Sequence, residues 1–431
     1  MMISRRAAAR WGVFLVLLLS AAALLSARLS RFAGERAVFE AVAPQALILD
    51  DDLDPQSLAL ALERNLGYFD RLPQDRVFTY GTISVGLARL RRAQVELLSF
   101  LALSPARPAL AAYLEKHFVF LEVRKKSWLP RRRPASPILY TGYYVPTLRG
   151  ALQPSPRFCY PLYRQPDDLV VVDLSNFDLR RPVAKLWPWL EALPLIPKID
   201  ELVFPKLRGR LLKNGTVVPY HARAEIDYAG TLLDRGLELV WVDDEIDRFF
   251  LQIQGSGKIE LAEGGSLMVG YAAANGHPYQ SIGGWLVRQE IMTRDEVSMP
   301  SIRAWLKAHP ERRQEIFTVN SSYVFFRELP GREPLGCDQA PLTGGRSIAT
   351  DRTLFPGGAL AWIETRLPTF TDEGKLSGWR DSRRLVLNQD TGGAITGPFR
   401  VDLYCGDDLA AEQTAGLMKE PGRFLLLLPR E

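Results

Sequence analysis

Three aspartates in the last quarter of the 431-residue chain stand in surroundings unusual for that residue. Asp351 lies in Ala349-Thr350-Asp351-Arg352, just ahead of Phe355-Pro356-Gly357-Gly358. Asp390 lies in Asn388-Gln389-Asp390-Thr391-Gly392-Gly393-Ala394-Ile395, and Asp402 follows the Gly397-Pro398 turn in Arg400-Val401-Asp402-Leu403-Tyr404. Aspartate forms strands poorly, so one set in β-like sequence calls for a reason. Carboxyl groups are the usual acids and bases of glycosidic-bond cleavage. The Gly392-Gly393 pair lets backbone or ligand come close, as a bound sugar would require. The plainer reading is that these aspartates brace loops by accepting from backbone N–H groups. Residue types alone leave the two readings level. Asp390-Thr391-Gly392 also has the form of an aspartic-protease triplet. Those enzymes need two aspartates sharing a proton, so a chain with one triplet would have to work as a homodimer.

Other chemistries find less support. His117, His221, His277 and His309 are scattered, which disfavours a zinc site or a Ser-His-Asp triad. Cys159, Cys337 and Cys405 match no metal-binding spacing, and their disulfide status is open. For binding, Tyr143, Tyr144 and Tyr279 are candidates to stack on sugar faces, with core packing as the alternative for each. The alternation Leu251-Gln252-Ile253-Gln254 reads as a strand with both glutamines on one face. Beside Gly255-Ser256-Gly257 such a polar face suits hydroxyl and N-acetyl groups, so Gln252, Gln254 and Ser256 join the binding set. His277, in an Asn-Gly-His-Pro turn, reads as a loop brace as readily as a ligand contact.

The elements that must position these residues follow from periodicity. Asp54-Pro55 is an N-cap followed by proline at the first helical position, and Leu58, Leu62, Leu66 and Phe69 follow at helical spacing. A second helix is expected near Ser84 to Leu103, and a third from Pro108 through Leu114. From Ile138 the pattern turns to short apolar or alternating runs between Gly, Pro and Asp turns: Ile138 to Val145, Glu238 to Val242, Phe249 to Ile253, Tyr323 to Phe326 and Phe424 to Leu428. One helix, Ser301 to Ala308, interrupts them. The expected class is α+β, mainly β, with a helical opening.

Composition sets outer bounds. Hydrophobic residues at 47% are enough for real cores, and 24% charged residues exclude a disordered polymer. The net charge of +5 is mild. Its basic runs, Arg124-Lys125-Lys126 and Arg131-Arg132-Arg133, read as solvated loops, and no nucleic-acid-binding signature accompanies them. Arg5, Arg6 and Arg10 precede an uncharged apolar run from Trp11 to Ala27, closed by Arg28, which is the pattern of an export signal over residues 1–40. The expected location is therefore outside the cytoplasmic membrane, in the periplasm, with cleaved signal and uncleaved anchor both open. The membrane would be met only through this N-terminal segment.

Several words resemble the membrane-bound lytic murein transglycosylase A (MltA) family in family order: Thr141-Gly142-Tyr143-Tyr144-Val145-Pro146; Arg223-Ala224-Glu225-Ile226; Phe249 through Gly257; Asn275-Gly276-His277-Pro278-Tyr279; Tyr323-Val324-Phe325-Phe326; and Gln389 through Asp402. The resemblance implies a double-psi β-barrel domain built from both chain ends, 45–147 plus 325–431, with a three-aspartate (3D) part at about 340–431. A second β-barrel domain, 148–324, would be inserted. It implies an exotransglycosylase, a carbon–oxygen lyase cutting the β-1,4 bond between N-acetylmuramic acid and N-acetylglucosamine with 1,6-anhydromuramic acid as product, although the residues themselves leave endo and exo action open. Asp402 matches the family's catalytic acid/base and Asp390 its supporting aspartate, while Asp351 completes the three and joins the substrate-binding candidates. Partners would be peptidoglycan glycan strands, with cell-wall protein complexes and oligomeric state open. No cofactor and no metal are implied, and no nucleic acid. No cysteine suited to lipid anchoring follows the apolar run. The alternative is a non-catalytic peptidoglycan-binding barrel, which would be indifferent to loss of the Asp402 carboxyl group.

The acid role makes a physical demand. An aspartate of ordinary pKa, about 3.9, is protonated about once in a thousand at pH 7. Burial or a negative neighbour must raise that pKa, and Asp390, across the Gly397-Pro398 turn, is the expected neighbour.

Overall fold

The computed structural model describes residues 37–125, 137–173, 207–331 and 333–430. The export segment and the Arg131–Arg133 run lie outside them. Among the described residues, no helix is long and apolar enough to cross a membrane. The chain divides into two compact units, one of Met1–Gly142, Gly336–Cys405 and Met418–Glu431, the other of Tyr143–Leu335 and Gly406–Leu417.

The first unit is a six-strand mixed β-barrel built from both chain ends. Going round it, the strands are Ile138–Tyr143, Arg400–Tyr404, Ser347–Ala349, Leu376–Asp390, Leu360–Phe370 and Lys419–Pro429, and Lys419–Gly422 closes the ring by pairing with Ile138–Thr141. The mixture comes from two parallel pairs, Ser347–Ala349 with Leu376–Asp390 and, as the other pairings round the ring require, Ile138–Tyr143 with Arg400–Tyr404. Strand alternation sorts the apolar residues into two layers. Ala361, Ile363, Val386, Val401, Leu403 and Phe424 belong to one buried cluster with Ile138, Tyr140 and Ile348. Leu360, Trp362, Leu385, Leu387, Leu425 and Leu427 face the other way and pack on helical leucines such as Leu58, Leu62, Leu97 and Leu114. Each buried leucine of that layer contributes about 2 kcal/mol.

Those leucines lie on helices Pro55–Phe69, Leu87–Leu101 and Arg107–His117. The Asp54 cap expected from sequence is made, with Oδ1 accepting from the Ser57 N–H at 2.7 Å. The second helix starts later than expected. Ser84 belongs to a hairpin strand, Ile83–Gly86, paired with Val77–Tyr80, where β-branched Ile83 and Val85 favour extension.

The second unit carries a separate inserted six-strand sheet, ordered Val324–Glu328, Ser266–Ala274, Ser256–Leu261, Thr147–Ala151, Glu238–Val242 and Tyr160–Tyr163. A single bridge, Arg164 to Phe326, links its two edge strands. The unit limits differ from the expected 148–324 because Val324–Glu328 pairs with Ser266–Ala274 and because helix Leu409–Leu417 packs on helix Met299–Ala308.

One expectation is overturned. Phe249 to Ile253 is not a strand but part of helix Glu245–Gln254. Asp244 caps it, Oδ1 accepting from Ile246 and Asp247 N–H at 2.7 and 3.1 Å. Glu245 and Asp247 sit where the helix dipole favours acids. Ile246, Phe249 and Phe250 form one apolar face buried against Ile282, Leu286, Ile302 and Phe317, and Gly255 ends the helix at φ 84°. Nor is Ser301–Ala308 the sole helix of this region: Ile282–Arg288, Arg313–Val319 and Leu409–Leu417 join it.

Candidate active site

Asp402 occupies the middle of its strand, and Ala349 is the residue through which the barrel relates it to Asp390. Ala349 pairs antiparallel with Asp402 on one side and parallel with Asp390 on the other. Two strand spacings therefore separate the two aspartates, about 10 Å at the backbone. The register of the parallel pair skips Gln389, and buried polar contacts hold that irregularity in place. Ser347 Oγ donates to Gln389 Oε1 at 2.6 Å, Thr350 Oγ1 donates to Asn388 Oδ1 at 2.9 Å, and Asn388 Nδ2 donates to the carbonyls of Phe355 and Pro356 at 2.7 and 3.1 Å.

The Asp402 side chain is only 16% exposed, and its Oδ1 is shut off from solvent with no hydrogen-bond donor. Arg400 Nη2 stands 4.0 Å from that oxygen, too far to donate to it. Burial disfavours the charged carboxylate, the Arg400 cation favours it, and the Asp390 charge disfavours it again. The net result is a pKa pushed up to about 6.

Asp390 ends its strand with Oδ1 accepting from the Cys337 and Thr391 N–H groups, both at 2.9 Å. Asp351 is committed to the loop that follows. Its Oδ2 accepts from Gly397 N–H at 2.7 Å and its Oδ1 from Thr353 N–H and Oγ1 at 3.0 and 2.6 Å. Gly397 has φ 81°, so the brace holds a backbone shape that residues with a Cβ resist. Asp351 thus serves as the plain loop brace, with its carboxylate already engaged, rather than as an open hydroxyl acceptor.

The binding candidates of the second unit separate into open and covered groups. Tyr279 is exposed, while Tyr143 and Ser256 are half-buried. Tyr144 is buried, so its ring offers no open stacking face, and its hydroxyl donates to Glu412 Oε1 at 3.0 Å. Residues two apart on a helix point in different directions, so Gln252 and Gln254 form no shared polar face. Gln254 Oε1 accepts from Tyr144 N–H at 3.1 Å, and Gln252 is buried with neither amide atom hydrogen-bonded. His277 braces its loop, its Nε2 lying 2.7 Å from the Tyr220 carbonyl.

Two contributors carry little sequence signal. Arg400 lies two residues from Asp402 and so on the same strand face, which strand period could have revealed. The Cys337 contribution is a backbone N–H, to which side-chain identity gives no clue.

Comparison with known proteins places this geometry. The MltA specific insert domain matches residues 139–327, and the 3D domain matches residues 346–428. Membrane-bound lytic murein transglycosylase A of Escherichia coli strain K12 is 31% identical over 292 residues, 67% of this chain and 65% of the relative. The match thus spans slightly less than two thirds of that curated relative's length. The crystal structure of the membrane-bound lytic murein transglycosylase from Agrobacterium tumefaciens superposes with a TM-score of 0.69 at 27% identity, covering 91% of this chain and 98% of that one. Escherichia coli MltA with bound chitohexaose shares the fold, with a TM-score of 0.63 at 24% identity over 91% of this chain and 95% of that one. With its insert domain followed by a C-terminal 3D domain, the chain belongs to the MltA family.

Proposed function

We propose that the chain is a lytic transglycosylase that cleaves the β-1,4 bond between N-acetylmuramic acid and N-acetylglucosamine in peptidoglycan, with Asp402 as its acid and then its base. The observation that carries this reading is a buried carboxyl group whose Oδ1 has no hydrogen-bond donor, its pKa pushed up to about 6, in a chain of this family. At pH 7 such a group is protonated roughly one time in ten, about a hundredfold more often than an ordinary aspartate. Asp402 gives its proton to the glycosidic oxygen as the bond from the muramic C1 breaks. The muramic C6 hydroxyl attacks C1, and its proton returns to Asp402. The ring closes as a 1,6-anhydro sugar, the carboxyl group ends as it began, and no water is consumed. The C6 hydroxyl belongs to the sugar under attack, so its high effective concentration takes the place of an activated water.

Asp390 supports the cycle through its charge. Tyr279, Tyr143 and Ser256 remain as the open candidates to hold sugars, and the glycan seen in the Escherichia coli structure is the kind of ligand they would meet. The finer architecture belongs to the same proposal: a double-psi arrangement for the mixed barrel and, for the inserted sheet, a barrel whose edges meet at the Arg164–Phe326 bridge. The N-terminal arginines and apolar run support export to the periplasm, and the relatives' names describe them as membrane-bound.

Digestion of purified peptidoglycan by the wild type and by Asp402→Asn, with product masses measured, tests the function. The wild type is expected to release anhydro-muropeptides, lighter by one water than products with reducing ends, and the variant to lose at least about a hundredfold in rate. Reducing-end products from the wild type, or anhydro release at full rate by the variant, would sink this reading.

A further inference from the structure

Arg400 and Asp402 share one strand face, and each holds a buried polar atom without a partner. Those atoms are Arg400 Nε and Asp402 Oδ1. The nearer approach between the two side chains, Nη2 to Oδ1, is 4.0 Å, which is ion-pair range but longer than a hydrogen bond. Resting on the acid/base reading of Asp402, we propose that Arg400 is the positioning residue of its proton cycle: the guanidinium stands back while Asp402 carries the proton and closes on the carboxylate once the proton has gone to the glycosidic oxygen.

The physics runs in both halves of the cycle. A guanidinium in direct, two-pronged contact with a carboxylate would lock Asp402 in its charged form. The gap of 4.0 Å leaves the proton in place, and burial outweighs the cation. When the proton leaves, a buried carboxylate whose Oδ1 lacks a donor is costly, and Arg400 is the cation at hand. Arginine stays charged throughout, and its side chain is 34% exposed, so its head has room to swing through the missing ångström.

Among the described residues of the neighbouring barrel strands and loops, no other cation is placed to do this work. Strand Ser347–Ala349 carries no ionisable side chain, nor does the 391–399 loop. Strand Ile138–Tyr143 brings only tyrosines, of which Tyr140 donates its hydroxyl to the Arg423 carbonyl. Asp351 is engaged with Thr353 and Gly397, and Asp390 is an anion.

The test is the pH dependence of kcat/KM for anhydro-sugar release from a soluble glycan, followed in the wild type, Arg400→Gln, Arg400→Met and Arg400→Lys. Loss of the cation is expected to move the alkaline limb upward by about one pH unit and to slow release below pH 6 by up to about tenfold, while Arg400→Lys stays closer to the wild type. The Asp402 carboxyl shift followed by 13C NMR should titrate upward in the same variants without reference to activity. Gln and Met both keep the arginine's packing stem, so one of the two serves if the other folds poorly. An unmoved limb and titration in Arg400→Gln and Arg400→Met would overturn the role, and so would an Arg400→Lys shift as large as theirs. These results stand apart from Asp402→Asn: anhydro release by that variant sinks the enzyme reading itself, whereas an unmoved limb in an enzyme that depends on Asp402 sinks only Arg400.

Discussion

Asp227 in the inserted unit and Asp402 in the barrel are both carboxyl groups taken out of water, yet their surroundings are opposite. Asp227, with its side chain 2% exposed, lies between two arginines, 3.3 Å from Arg223 Nη1 and 2.8 Å from Arg248 Nη1. Arg223 is anchored in turn by the Asn320 and Ser322 carbonyls and lies over the Phe249 and Tyr323 rings. Asp227 is thus held in ion pairs with two close cations, although its Oδ1 makes no hydrogen bond of good geometry. Asp402 Oδ1 has no donor and its nearest cation stands 4.0 Å away. Burial between close cations ties Asp227 into ion pairs, and burial with the cation 4.0 Å away leaves the Asp402 pKa raised. The position of the arginine, not the aspartate, separates the two outcomes.

The comparison breaks first where the effect is largest. Asp227→Asn leaves buried Arg223 without its anion and Arg248 with only Glu245, 4.0 Å away, and about 3–5 kcal/mol of unfolding free energy should disappear in urea or thermal unfolding. A loss below about 1 kcal/mol would mean that the cluster is not held by the ion pairs described above. Asp402→Asn should change stability in the opposite direction. The Asp402 pKa is about 6 in the fold against an ordinary 3.8. Below about pH 4 the carboxyl is protonated in both folded and unfolded chains, and the variant has no advantage. As pH rises from 4 to 6 the unfolded chain gives up its proton first, so the wild type loses stability, and above pH 6 the penalty is constant. Two pKa units at about 1.4 kcal/mol each set an upper bound of about 3 kcal/mol. The variant should therefore gain up to that amount at pH 7–8, with the gain vanishing below pH 4. A variant less stable than the wild type at pH 7 would contradict unpaired burial.

Much of the architecture was legible in residue order because local and tertiary preferences agree. Asp54-Pro55 and the leucines that follow it form the helix they announce, and the apolar strands of the barrel lie where their runs lie. Glu245–Gln254 was misread because Phe249-Phe250-Leu251 is too short a run for periodicity to decide between strand and helix. The deciding marks were the Asp244 cap and Gly255, eleven residues apart. The site was legible as residue types and not as environments. Nothing in Arg400-Val401-Asp402 says whether its ion pair is closed at 2.8 Å or held open at 4.0 Å, since that distance is set by strands brought together from residues 138 to 429. The Arg223–Asp227 pair was readable as an i, i+4 helical spacing, but its burial depends on Arg248 and on ring faces far along the chain.

Smaller changes sharpen the contrast within the barrel itself. Asp351→Ala removes the acceptor for the Gly397 and Thr353 N–H groups and should lower stability by about 1.5–3 kcal/mol, the ordinary scale for lost hydrogen bonds to a charged group. A neutral outcome in denaturant unfolding would strip Asp351 of its bracing role. Asp390→Asn is expected to have the smallest effect on stability, because an asparagine Oδ1 still accepts from Cys337 and Thr391. What it removes is the charge that helps Asp402 keep its proton, so the alkaline limb of kcat/KM should move down, by less than one pH unit. Arg400 influences Asp402 more strongly than Asp390 does, and with the opposite sign. The double variant Arg400→Gln/Asp390→Asn should therefore keep an alkaline limb displaced upward, but less than Arg400→Gln alone. If Asp390→Asn leaves both limb and rate unchanged, burial and Arg400 alone set the acid, and Asp390 holds only the Cys337 loop.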